Sequence, residues 1–164
     1  KPIIAAINGP AAGLGLILSM WCDIRFASKS AIFSTAFSKR GLIAEHGMSW
    51  LLPRLVGIGH AMDMSLTARK ISAEEAEKIG FVNKIFPDEI FLKEVYSYAE
   101  TLANEVSPRS MKVMKRQLWQ SLLQGLDEAV AIADNDMVDS FSSEDFKEGV
   151  AHFIEKRSPN FSGK

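Results

Sequence analysis

The chain has 164 residues, enough for one domain with a core of its own, and 47% hydrophobic against 24% charged residues is the balance of a soluble globular protein. A formal net charge of -1 argues against a general electrostatic grip on nucleic acid. The single cysteine, Cys22, excludes an internal disulfide and a thiolate metal cluster, and it fits a reducing compartment.

Pro2 to Ile7 is a short apolar run bounded by turn residues, the pattern of a strand buried on both faces. The turn Asn8-Gly9-Pro10 interrupts it, so the run does not read as a secretory segment, and no apolar stretch approaches the ~20 residues of a membrane span. Gly13 and Gly15 lead into Leu16 to Cys22, apolar nearly all round and expected as a buried helix. Ile24–Ala27 and Ala31–Ser34 read as two further strands, giving the strand–helix–strand order of an α/β layer fold. Phe37 to Gly47 lacks periodicity. Met48 to Val56 reads as a helix that Pro53 kinks or splits, and Ala61 to Ala68 as another. Ser72-Ala-Glu-Glu75 is a capping box and Gly80 stands where a helix stops, which predicts a short helix over Ser72–Ile79. Phe81 to Phe86 is a strand candidate.

From Asp88 onward the pattern is helical. One helix runs from there to about Val106. Ser107-Pro108 opens a second, with Met111, Met114, Leu118 and Leu122 on one stripe. A third spans Asp127 to about Ser140, a fourth begins at Ser143, and Asn160–Lys164 is a polar tail. The helical half carries more apolar stripes than it can bury alone, which points to cover from partner subunits or from preceding sequence.

The glycine turn between strand and helix admits several chemistries. A phosphate-binding loop needs Lys and then Ser or Thr after its last glycine, and Gly15 is followed by Leu16 and Ile17. A dinucleotide fingerprint needs a third glycine where Leu18 stands. Two readings stay open: a packing turn, or an anion site in which backbone N–H groups at a helix N-terminus meet an oxygen that gains charge.

The wider string shifts the balance toward the second. Lys1 to Gly9, Ala11-Ala-Gly-Leu-Gly15 and Met20-Trp-Cys-Asp-Ile-Arg-Phe-Ala27 resemble the central signature of the crotonase (enoyl-CoA hydratase/isomerase) superfamily. The likeness continues through Gly41, Leu52–Gly57, Ile71–Ala76, Gly80-Phe-Val82 and Phe153–Arg157. It implies an α/β fold: a ClpP-like spiral of ββα turns, its C-terminal part over 1–86, followed by a helical trimerisation region over 87–164. It also implies an acyl-CoA or enoyl-CoA thioester as substrate, coenzyme A being part of that substrate and no separate cofactor or metal being needed. A homotrimer or dimer of trimers is implied, with no nucleic-acid or membrane partner, in the bacterial cytoplasm or an organelle matrix. By the family pattern the Leu14 N–H, next to Gly13, is one oxyanion-hole donor. The other donor belongs to an earlier loop, so the N-terminal part of the usual domain is expected to lie outside this sequence.

Family hydratases carry two glutamates, at the positions of Ile17 and Phe37 here, and neither replacement can move a proton. Gly41-Leu-Ile-Ala-Glu45-His-Gly47, followed by Ser49 and Pro53, instead resembles peroxisomal-type Δ3,Δ2-enoyl-CoA isomerases, whose single catalytic glutamate stands at Glu45. One carboxylate can remove a proton beside the thioester carbonyl and return it at the far end of the dienolate. Ile17, Phe37 and Trp50 are expected as an apolar, substrate-lining wall that raises the pKa of Glu45 and excludes water. Taken alone, a loop glutamate such as Glu45 more often only caps the following helix, here the one after Gly47. His46 could act as a second acid/base or orient Glu45, although adjacent side chains tend to point apart. Water activation by Glu45, as in a hydratase or hydrolase, and a non-catalytic CoA-binding or assembly role stay open as alternatives. His60 and His152 read as surface or packing residues. Lys39-Arg40, Arg69-Lys70 and Lys115-Arg116 are candidate but ordinary solvated pairs, and Lys156 is the better candidate for a CoA phosphate contact.

Overall fold

A computed structural model describes residues 1–164, and the chain divides into a mixed unit, Ile3–Tyr96, and a helical unit, Ser97–Lys164 with Lys1–Pro2. In the mixed unit the first two turns of chain each contribute one strand to each of two sheets and then a helix, and the third sets a helix between its two strands. β1 (Ile4–Ile7) and β2 (Ala11–Ala12) precede α1 (Leu14–Met20). β3 (Ile24–Ser28) and β4 (Ile32–Ser34) precede a 3-10 turn at Ser38–Arg40 and α2 (Met48–Thr67). β5 (Ile71–Ser72), α3 (Ala73–Lys78), β6 (Lys84–Phe86) and α4 (Phe91–Asn104) follow, and the division between the units falls within α4. One sheet has the order β1-β3-β6, all parallel; the other has β2-β4-β5, with β4 and β5 antiparallel. This is the ββα spiral that the resemblance implies.

The turn at Asn8-Gly9-Pro10 carries the chain from one sheet to the other, which is why the two-residue β2 escapes a reading based on apolar runs. β1 is only half-buried, not buried on both faces: it is the edge of its sheet, and Ala6 is exposed. Similarly α1 buries one face, Leu16, Ile17, Ser19 and Met20, and leaves Leu14 and Leu18 exposed. Phe26, Phe86, Phe91 and Val95 form a core cluster with Ile4 and Ile24 against it, and the Phe26 and Phe86 rings meet edge to face at 5.6 Å.

The helix from Met48 is not broken at Pro53. The break falls instead at Gly57 (φ 77°, ψ 156°), so that two helices meet at a kink, the first ending near Val56 as expected and the second running to Thr67. α3 starts as its capping box predicts, the Ser72 Oγ accepting from the Glu75 N–H at 3.2 Å, and Gly80 follows it at φ 82°.

The helical unit comprises the end of α4, α5 (Pro108–Ser121), α6 (Leu126–Phe141) and α7 (Glu144–Glu155). Ser107 and Ser143 cap α5 and α7, accepting from the Ser110 and Phe146 N–H groups. Met114, Leu118, Val130, Met137, Phe146 and Phe153 remain exposed, as the excess of apolar stripes predicts. The C-terminal segment is not a loose polar tail: Ser162 and Gly163 donate their N–H groups to the buried Asp145 carboxylate. No helix is long and apolar enough to cross a membrane.

Candidate active site

α1 begins at Leu14 because Gly13 turns the chain sharply (φ 53°, ψ -120°) while donating its own N–H to the Ser34 carbonyl at 3.1 Å. That bond ties the turn to β4. No side chain caps this end, and the first helical N–H groups, Leu14 among them, have no carbonyl within the helix to donate to. Leu14 and Gly13, the expected oxyanion turn, therefore stand at a helix N-terminus with its donors and positive dipole end directed outward.

The other end of α1 is fixed by a buried cation. Arg25, on β3, donates from Nε to the Phe81 carbonyl at 2.7 Å and from Nη1 to the Cys22 carbonyl at 2.7 Å, with Met20 O at 3.5 Å. Burial pushes the Arg25 pKa down, while Cys22 and Asp23 push it up.

Glu45 sits in a turn shaped by two consecutive left-handed residues, His46 (φ 51°) and Gly47 (φ 79°). Its backbone carbonyl accepts the Met48 N–H at 2.9 Å, and no side-chain hydrogen bond caps α2, so capping is not the task of its carboxylate. The left-handed backbone at His46 brings neighbouring side chains together instead of apart. His46 Nε2 lies 3.6 Å from Glu45 Oε2, an ion-pair separation too long for a hydrogen bond. The Glu45 side chain is 35% exposed and that of His46 58%, so this turn is open to solvent on the chain as it stands.

A residue that sequence reasoning passed over holds this turn. Trp21, directly after α1, donates its Nε1–H to the His46 carbonyl at 3.1 Å, and its ring lies against Gly47. A Cβ at position 47 would stand 2.9 Å from Trp21 Cζ2, so both the positive φ and the close ring require glycine there. The available signal was a large aromatic continuing the exposed i, i+4, i+7 stripe of Leu14 and Leu18.

Ile17 and Phe37, which the resemblance sets at the hydratase glutamate positions, are core side chains at 2% and 7% exposure. Trp50 stacks on the Arg54 guanidinium, 4.1 Å from carbon to ring centroid, and the ring that lies against the Glu45 turn is that of Trp21. Among the basic pairs, Arg69 is held by Asp63 and Glu75, which raise its pKa, and Arg116 by Asp136. Lys156 belongs to the helical unit, exposed and left-handed (φ 54°) at the end of α7. His152 packs edge-on against Phe161 at 5.8 Å, as a packing residue should. No group of three or more His, Cys, Asp or Glu comes together as a metal site. The helical unit contains a cavity of about 250 Å³ beside Arg109, Ser140 and Asp145, whose polar groups are already paired with Ser140 Oγ, Asp136 O and Ser107 respectively.

Comparison with known proteins matches this chain, over residues 1–164, to the family model described as enoyl-CoA hydratase/isomerase. A probable enoyl-CoA hydratase of Mycobacterium tuberculosis is 42% identical over 165 residues, covering 99% of this chain and 58% of that protein. The 1,2-epoxyphenylacetyl-CoA isomerase of Escherichia coli is 37% identical over 164 residues, covering 100% of this chain and 62% of that protein. Among solved structures, an enoyl-CoA hydratase from Bacillus anthracis superposes with a TM-score of 0.96 at 32% identity, covering 100% of this chain and 63% of the other. The chain thus spans about three fifths of the length of the curated relatives it matches. With the ββα spiral, the glycine turn and a match over its whole length, the chain belongs to the enoyl-CoA hydratase/isomerase family.

Proposed function

We propose that the protein is an acyl-CoA-processing enzyme that shifts a double bond, with Glu45 as the proton shuttle and the Leu14 N–H as one donor to the thioester oxygen. Coenzyme A enters as part of the substrate, and no separate cofactor takes part. Glu45 removes the C2 proton of a 3-enoyl thioester; that C–H pair becomes a C1–C2 double bond, and the carbonyl pair moves onto oxygen beside the Leu14 N–H. The carbonyl then re-forms, the C1–C2 pair becomes the C2–C3 double bond, and the former C3–C4 π pair takes the proton from Glu45 at C4. Charge appears only on the thioester oxygen, where an outward helix N-terminus is most useful.

One observation carries this reading: the Glu45 carboxylate has no capping task and stands on a turn pinned to the helix that presents Leu14. The relative named an isomerase, 37% identical over the whole chain, supports it. Glu45→Gln is expected to reduce turnover of a 3-enoyl-CoA at least about a thousandfold, by loss of the only proposed base, with thioester affinity within about twofold. Full activity in that variant ends the assignment.

A second reading, water addition to a 2-enoyl-CoA, is favoured by the 35% exposure of Glu45 and by the hydratase names of most relatives. Turnover in isotopically labelled water separates the two: oxygen incorporation marks the hydratase, a shifted double bond without it the isomerase. Assembly into trimers belongs to the same proposal, supported by the uncovered apolar stripes of the helical unit.

A further inference from the structure

We infer that Trp21 is a positioning residue for Glu45, joining the end of α1 to the turn that carries the carboxylate; this rests on the Glu45 reading above. α1 has Leu14 at one end and Trp21 immediately after the other, about 10 Å apart at 1.5 Å per residue. Trp21 reaches from there to the Glu45 turn in two ways. Its Nε1–H donates to the His46 carbonyl at 3.1 Å, and its ring occupies the space beside Gly47 that a Cβ would need.

The contact falls on the strained part of the turn. A non-glycine residue such as His46 at φ 51° persists only where its surroundings hold it. The indole takes the carbonyl that fixes the His46–Gly47 peptide plane, while the Met48 N–H takes the Glu45 carbonyl at 2.9 Å. Between them these bonds set the left-handed backbone that turns the Glu45 carboxylate to within 3.6 Å of His46 Nε2. Without the indole N–H, the peptide plane is free to rotate, His46 relaxes toward negative φ, and Glu45 loses its fixed direction. α1 is therefore one rigid gauge with the oxyanion donor at its start and the base held from its end.

The test compares wild type, Trp21→Phe, Gly47→Ala and Glu45→Gln in purified protein, with 3-enoyl-CoA and 2-enoyl-CoA as substrates. Trp21→Phe keeps a ring and removes the N–H; kcat should fall about ten- to a hundredfold, the effect of a misplacement near 1 Å, with KM within about twofold and melting little changed. In D2O the product made by Trp21→Phe should carry more solvent deuterium at C4, because a loosened carboxylate exchanges its proton before returning it. A purely structural tryptophan would not alter that ratio. Gly47→Ala disturbs the same contact from the other side and should show the same kcat loss, which serves if Trp21→Phe does not fold. Wild-type kcat and deuterium content in both variants, with Glu45→Gln inactive, overturns the Trp21 proposal alone. Activity retained in Glu45→Gln, or no turnover of either thioester by wild type, overturns the Glu45 reading and this proposal with it.

Discussion

Arg25 shows how a single residue supports a site that it does not enter. On β3 it is only 5% exposed, and its guanidinium bridges the Cys22 and Phe81 carbonyls. Cys22 and Met20 lie at the end of α1, so the cation also meets the negative end of that helix. Arg25→Met leaves buried carbonyls without donors, and a loss of about 3 kcal/mol in unfolding free energy is expected from urea denaturation. A loss below about 1 kcal/mol would show that water replaces the guanidinium and that α1 is held otherwise. What is legible at this scale is local. Leu14 and Glu45 can be proposed from sequence because contiguous segments carry the resemblance, whereas Trp21 and Arg25 act on residues 25 and 56 positions away, and no spacing rule reports such contacts.

The same division runs through the elements. Helices opened by serine, at Ser72, Ser107 and Ser143, are legible to within a residue because the cap and the helix are neighbours in sequence. Strands β2 and β5 have two residues each and exist only through pairing with β4, so nothing in their own sequence marks them. In α2 the sequence points to Pro53 as the break, but proline removes one hydrogen bond without excluding helical φ, and the chain continues through it. The break is at Gly57, whose φ and ψ lie in a region essentially confined to glycine. Gly59, two residues on, is helical, and a Cβ there would meet no atom within 4 Å. Opposite signs follow from denaturation midpoints: Gly57→Ala should lose about 1–3 kcal/mol to backbone strain, and Gly59→Ala should gain about 0.5–1 kcal/mol in helix propensity. Losses of equal size in both would place the break elsewhere.

At the scale of the whole molecule, the signature string around the glycine turn resembles the family and apolar patterning foretells the uncovered helical stripes, but neither shows how the C-terminal segment is fastened. Asn160–Lys164 reads as a polar tail because its ties are backbone amides, which leave no mark on side-chain patterns. Ser162 and Gly163 each donate an N–H to Asp145 at 2.9 Å, and Ser107, the cap of α5, donates its hydroxyl to the same carboxylate at 2.6 Å. Burial pushes the Asp145 pKa up, but the hydrogen bonds from Ser107, Gly163 and Ser162 prevail and hold it below the usual range. Beside it Glu148 takes the Arg157 guanidinium and the Asn160 N–H, the latter at 2.7 Å, and these push its pKa from the ordinary 4.5 down to about 2. A carboxyl with a depressed folded pKa contributes stability above its unfolded pKa and loses it as pH falls through the folded one. For Glu148 that window runs from 4.5 to about 2. Melting temperature should therefore fall steeply across this interval in wild type. Glu148→Gln, which cannot titrate, should melt lower than wild type at neutral pH and lose less between 4.5 and about 2. Parallel curves for the two proteins would mean that the tail is fastened without Glu148, leaving Asp145 and its amide donors as the whole of the clasp.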